Sequence, residues 1–209
     1  MIIYLISIIL PIVICVLKYK NINLINILKM TIAKIYLATG NNKKAKNILL
    51  SLIEKKQDDY NAHKMLAEIY ELEGGLRKAI DEYVICIDIN KKDYDSYYKV
   101  ATLLSDLEKK DEAIEMLTSL LEKKPDYYNA SVTLGDLLIE KEKYKEALSI
   151  LMEATKYNPV SFDLNYQLGI AYTMLNDFKS AKEYYAPAPT SCIGTANGSR
   201  TGTSRFRTG

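Results

Sequence analysis

From about residue 24 the apolar and polar positions follow a helical period, and they keep phase with a fixed step of 34 residues. Ala45, Ala79, Ala113, Ala147 and Ala181 stand 34 residues apart, with no insertion or deletion between them. A second small residue keeps the same step at Ala33, Ala67, Ala101, Gly135 and Gly169, each preceded by an apolar one: Ile32, Leu66, Val100, Leu134 and Leu168. Self-similarity at this length means one supersecondary unit stacked on copies of itself. The pattern predicts repeats at 26–59, 60–93, 94–127 and 128–161, and an incomplete one at 162–185.

Each repeat divides into two helical halves at a polar break. The breaks fall at Thr39-Gly40-Asn41-Asn42, Glu73-Gly74-Gly75, Glu108-Lys109-Lys110-Asp111, Lys141-Glu142-Lys143 and Asn176-Asp177, where Gly, Asn or clustered charge interrupts the apolar stripe. Pro125 and Pro159 recur in the second turn, between repeats, where a fixed φ and a missing N–H end one helix and start the next. The small residue at the eighth place lies on the first helix and the alanine at the twentieth on the second, so the two helices can cross at short distance. Larger groups should fill the space around that crossing: Tyr36, Tyr70, Leu104, Leu138 and Tyr172 from first helices, and Leu49, Tyr83, Leu117, Leu151 and Tyr185 from second helices.

In these repeated residues the chain resembles the tetratricopeptide repeat family over 26–185. Leu134, Gly135, Leu138, Ala147, Leu151, Ala154 and Pro159 carry the motif in full. Lys91 and Gln57 replace the closing proline elsewhere, and the early aromatic of the first helix is Lys29, His63, Tyr97, Ser131 and Asn165 here. The resemblance implies an all-α, right-handed superhelical solenoid of antiparallel helix pairs. Its concave groove, lined mainly by first helices, would hold a segment of a partner protein.

The two ends differ from the repeats. Residues 1–17 carry no charge, are rich in Ile, Leu and Val, and are followed by Lys18 and Lys20. A helix of that length spans roughly 26 Å, close to a bilayer crossing, so residues 1–19 are expected to form a transmembrane anchor kinked at Pro11. A cleaved secretory signal would want a cationic start and a small-residue cleavage site, and a lipidated Cys15 would want a small residue where Ile14 stands. Positive charge only after the segment places the repeats on the cytoplasmic side. Residues 186–209 change vocabulary: they contain no Lys, Asp or Glu and hold three of the four arginines, with Pro187 and Pro189 at the start. That tail is expected to be disordered and foreign to the repeats, from a frameshift, an appended segment or a sequence-assembly join.

Charge and chemistry narrow the function further. Residues 21–185 hold 23 basic and 26 acidic side chains. A net-acidic array repels a phosphate backbone, which argues against nucleic acid and against the related helical arrays that read RNA. Cys15, Cys86 and Cys192 form neither a disulfide framework nor a metal spacing, and fit a reducing compartment. His63 is the only histidine and reads as a packed or exposed spacer, Cys86 as a small buried hydrophobe, and Gly74-Gly75 as a turn. No enzyme, no cofactor and no small-molecule substrate is indicated.

First-helix residues three or four apart, facing away from the second helix, nominate the groove lining. They are Met30, Lys34, Lys64, Glu68, Tyr98, Thr102, Val132, Asp136, Tyr166 and Ile170. The Lys, Asn and Arg clamp by which some relatives grip chaperone carboxy-termini is not matched by their scattered lysines. Tyr98 and Tyr166 suit anchors, being aromatic with a polar tip. The expected function is a membrane-anchored scaffold binding a protein or peptide partner in the cytoplasm. The rival readings are an outward-facing envelope or surface-appendage assembly factor, and a regulatory segment of a larger enzyme. Ala147→Leu should overpack the crossing and cost roughly 1 to 3 kcal/mol in urea denaturation, and an unchanged midpoint would count against the register.

Overall fold

The computed structural model describes residues 24–185. The anchor expected at 1–19 and the tail at 186–209 lie outside the described residues. No described helix is long and apolar enough to cross a membrane. The described residues hold only helices and turns: α1 (24–38), α2 (Asn42–Ile53), α3 (Tyr60–Leu72), α4 (Leu76–Ile89), α5 (Tyr94–Asp106), α6 (Lys110–Lys123), α7 (Tyr128–Glu140), α8 (Tyr144–Thr155), α9 (Phe162–Met174) and α10 (Phe178–Tyr185). They group into two compact bodies, one running to Ala130 and one from Ser131, each considered by itself. In the first, α2 packs on α3, α3 on α4, α4 on α5 and α5 on α6; in the second, α8 packs on α9 and α9 on α10.

Side-chain caps start several of the helices. Asn41, Asp59, Asp93 and Ser161 accept from the amides of Lys44, Ala62, Ser96 and Leu164, each satisfying a donor that has no partner inside the helix. The turns inside the pairs are more uniform than their sequences. Each has three residues, and the middle one is left-handed: Gly40 at φ 75°, Gly74 at 74°, Glu108 at 59°, Glu142 at 59° and Asn176 at 62°. The next amide then bonds back to the preceding helix, from Asn41 to Tyr36, Gly75 to Tyr70, Lys109 to Leu104, Lys143 to Leu138 and Asp177 to Tyr172, at 2.8 to 2.9 Å. That is the Schellman closure, and a turn so short reverses the chain directly.

Both ladders of small residues are buried. Ala33, Ala67 and Ala101 on first helices and Ala45, Ala79, Ala113 and Ala147 on second helices have no exposed surface. At Gly135 a Cβ would lie 2.6 Å from Leu151 Cδ2 and 2.6 Å from Gln167 Oε1, so no larger residue fits without displacement. Leu49, Leu117 and Leu151 are fully buried, and Tyr83 nearly so with its hydroxyl donating to Glu71 at 3.1 Å. Three of the expected core tyrosines are instead half-buried, because each keeps its ring against polar or aromatic surface. Tyr36 lies under Lys44, Tyr70 under Lys46 and Lys78, and Tyr172 stacks on Tyr184. Tyr185 is 45% exposed although its ring covers Gly169, so it too is a rim residue rather than core.

A side chain in the left-handed region carries strain that glycine does not. Glu142→Gly should therefore raise stability by roughly 1 kcal/mol and Gly74→Ala should lower it by a similar amount, read as shifts of the urea midpoint at constant slope. Equal shifts of the same sign would overturn the assignment of the turn.

Candidate functional site

Of the residues nominated from spacing, Met30 packs against the core instead, and the structure sorts the rest into two groups. In the first body a cavity of about 410 Å³ opens between α1 and α3. Lys34, Lys64 and Glu68 stand in its wall, together with Asn61, half-buried Leu37 and exposed Ala38, and buried Met65 is its floor. Asn61 and the apolar lining escaped the sequence reading, which stepped only between two places on each first helix. One more turn in either direction along the same face reaches Asn61, Leu37 and Ala38.

Lys64 is not a free cation. Its Nζ donates to the Tyr60 hydroxyl at 3.1 Å and lies 3.5 Å from Asp93 Oδ1, while Tyr60 donates to Asp93 Oδ2 at 2.8 Å. Ser96 also donates its hydroxyl to Asp93, whose other role is to cap α5. Desolvation would raise the Asp93 pKa, but the Ser96 and Tyr60 hydrogen bonds and the Lys64 charge outweigh it and hold the carboxyl below the usual range. Desolvation likewise opposes the Lys64 charge, and the Tyr60 hydroxyl and Asp93 prevail, so its pKa is raised. Lys64 thus enters the cavity wall with its ammonium fixed from behind.

Farther along the first body, Tyr98 is half-buried with its ring 5.7 Å from that of Tyr127. Tyr127 donates to Asp95 at 2.8 Å, and desolvation followed by that carboxylate pushes its own pKa up. Thr102 spends its hydroxyl on the Lys99 carbonyl of its own helix at 2.9 Å. Its contribution to any surface is therefore mainly its methyl.

In the second body Val132, Asp136, Tyr166 and Ile170 are joined by a residue the spacing did not single out. Gln167 is buried, and its Nε2 donates to the Val132 carbonyl at 3.0 Å and to Asp136 Oδ1 at 2.5 Å. Desolvation raises the Asp136 pKa, and the charges of Asp163 and Glu140 add to this against the Gln167 hydrogen bond. Tyr166 is 51% exposed, stacked on Phe162 at 6.0 Å and met edge-on by Tyr185 at 6.0 Å. Ile170 is half-buried.

Two residues considered for chemistry are locked into the frame. His63 is 4% exposed, its Nδ1 2.6 Å from Glu82 Oε2 and its Nε2 2.8 Å from the Gln57 carbonyl oxygen. It ties α3 to α4 and to the turn before α3, and its burial keeps substrate away. Cys86 is fully buried, and desolvation, with the Asp93 charge, pushes its thiol up to about 12. At neutral pH it is a neutral thiol without thiolate reactivity. Among the described residues no three His, Cys, Asp or Glu side chains gather so as to hold a metal ion.

Residues 104–161 match the tetratricopeptide repeat family. No curated protein matches the chain. Among solved structures, YrrB, described as a TPR protein with an unusual peptide-binding site, is 20% identical, with a TM-score of 0.62 over 75% of this chain and 80% of its own. MamA from Desulfovibrio magneticus RS-1 is 16% identical, with a TM-score of 0.64 over 77% of this chain and 90% of its own. A tetratricopeptide repeat protein from Parabacteroides merdae ATCC 43184 is 18% identical, with a TM-score of 0.68 over 76% of this chain and 63% of its own. The all-α fold of the described residues is thus that of tetratricopeptide-repeat structures.

The Asp93 cluster makes a pH-dependent contribution of known sign. A carboxylate whose folded pKa is depressed stabilises the fold above its unfolded pKa and loses that stabilisation as pH falls through the folded value. Asp93→Asn should cost roughly 1 to 2 kcal/mol at pH 7, and the gap to the parent should close as pH falls below about 4. A gap that stays constant down to pH 2 in urea titrations would show that the Asp93 charge plays no part.

Proposed function

We propose that this chain is a membrane-anchored interaction scaffold that grips an extended segment of a partner protein on its first helices and does no chemistry of its own. The observation that carries the reading is the cavity between α1 and α3. Its lining combines apolar Leu37, Ala38 and buried Met65 with polar Lys34, Asn61, Lys64 and Glu68. An apolar lining takes partner side chains, and polar groups that include both charges and an amide orient a peptide backbone. A fixed polar group also lowers the ordering cost of binding, since the Lys64 ammonium is already held by Tyr60 and Asp93. YrrB, whose fold is similar, is described as having a peptide-binding site, which supports a peptide-binding use of the array here.

The anchor in this reading rests on residues 1–17, uncharged and followed by Lys18 and Lys20, and the cytoplasmic placement on the position of those lysines. The residues proposed to meet the partner are Lys64, Glu68, Tyr98 and Thr102 in the first body, and Val132, Asp136, Tyr166 and Ile170 in the second.

The test is affinity capture with the full chain in detergent, comparing the parent with Lys34→Ala/Asn61→Ala and with Tyr98→Ala/Tyr166→Ala. Capture of the same partner should fall about tenfold or more in at least one variant while helicity by circular dichroism is kept. Full capture by both variants would move binding off the first helices.

A further inference from the structure

The first body contains a second and larger opening, away from the groove. It has a volume of about 520 Å³ and lies at the turn between α3 and α4, with Lys46 of α2 and Leu107 at the end of α5 completing its wall. It shares no residue with the cavity between α1 and α3. Three cations surround it, Lys46, Arg77 and Lys78, against one carboxylate, Glu73. The repeats carry more acidic than basic residues between 21 and 185, so this local excess runs against the composition.

The cations are unequally engaged. Lys46 Nζ lies 2.6 Å from Glu73 Oε2, which answers the only acidic charge in the wall. Lys46 also stands 5.3 Å from the centroid of the Tyr70 ring, and Lys78 stands 5.6 Å from the same centroid. Arg77 and Lys78 are exposed, and among the described residues neither has a carboxylate partner. Leu76 and Leu107, both half-buried, give the opening an apolar side.

We infer that this opening is a second interaction site, which takes an acidic, leucine-like segment of a protein partner. The geometry favours a peptide over a single small anion. Arg77 and Lys78 are consecutive on α4, so their side chains leave the helix about 100° apart and do not converge on one oxyanion. Two carboxylates spaced along an extended chain reach both, and the apolar residue between them lies over Leu76 and Leu107. A phosphate dianion held by Lys46 would sit against Glu73, whose carboxylate already occupies that ammonium. The inference is independent of the groove and holds whether or not a partner binds there.

The experiment uses the full chain in detergent and three fluorescein-labelled peptides of one length: Glu and Leu alternating about a Gly linker, the same with Gln for Glu, and the same with Lys for Glu. Binding is read by anisotropy, with Arg77→Glu/Lys78→Glu as the variant, since both side chains are exposed and the fold is checked by circular dichroism. The acidic peptide should bind the parent and lose about tenfold or more in affinity to the variant, which should take the Lys peptide instead. Tyr98→Ala should leave acidic-peptide binding unchanged. Equal binding of the Gln peptide, or unchanged binding by the charge-reversed variant, would overturn the inference. So would displacement of the peptide by inorganic phosphate beyond that by chloride of equal ionic strength, because it would make this a single-anion site. Loss of the peptide in Tyr98→Ala would place it on the first helices and overturn the inference while leaving the proposed function standing.

Discussion

Burial of one small side chain on each helix of a pair, against large neighbours that leave no room for more, is the constraint on which the rest of the structure depends. The alanines at the crossings are fully buried from Ala33 to Ala147, and at Gly135 even a methyl would press on Leu151 and Gln167. A crossing that tight leaves little freedom in the connecting chain. It is met by the same three-residue turn five times, with a left-handed residue in the middle and an amide returning to the preceding helix. The turn tolerates Glu108 and Glu142 because the pairing of the helices supplies more than the strain removes. Small residues and turns together define a frame, and what a repeat can bind is left to positions that the frame does not use.

Those positions are not independent of the frame either. Lys64 lines the groove cavity, yet its ammonium is held by the hydroxyl of Tyr60 and by Asp93, the cap of the next first helix. A change that loosens the α5 cap therefore also loosens a wall of the cavity. The same holds in the second body, where Gln167 fixes Asp136 through one nitrogen while its other end lies against Gly135. Binding surface and packing share side chains, so a surface variant needs a stability measurement beside it before a loss of binding can be assigned to contact.

The fold was legible because its strictest requirement is also its simplest sequence signal, a small residue at a fixed step. Turns marked by Gly40, Gly74 or Asn176 were legible as backbone conformations, but Glu108 and Glu142 were not, since a charged residue announces solvent and says nothing of φ. Tyrosine misled in the other direction. The register places Tyr36, Tyr70 and Tyr172 at core positions, but a ring with a hydroxyl stays at the rim when lysines or another ring can flank it. Spacing along a helix face brought Lys34, Lys64 and Glu68 to one cavity, and it could not show that Thr102 turns its hydroxyl back to its own backbone. Nor could one histidine reveal Glu82 and the Gln57 carbonyl, which come from another helix and a turn. Such pairings depend on which rotamers meet after packing, and composition carries no trace of that.

The aromatic that opens the first helices α3, α5 and α9 shows how unequal the coupling within such a frame can be. Tyr60 donates to Asp93, and its carbonyl lies 3.8 Å from the Cys86 sulfur, so one residue joins its own repeat to the cap of the next. Tyr94, at the same place one repeat on, is met by the ammonium of half-buried Lys124 at 5.5 Å, which also stands 5.6 Å from the Tyr127 ring. Phe162 has no hydroxyl to donate; it stacks on Tyr166 of its own helix and remains 78% exposed. In a quasi-linear array, stability is close to a sum of repeat terms and neighbour terms, so these differences act directly on which interface opens first. A charge-assisted hydrogen bond is short and directional, whereas a cation–π contact between half-buried groups is looser in geometry. Of these two, the firmer interface is therefore the one at Tyr60 and Asp93, where α3 meets the cap of α5. The groove cavity is built beside that interface, on the side where Lys64 is held.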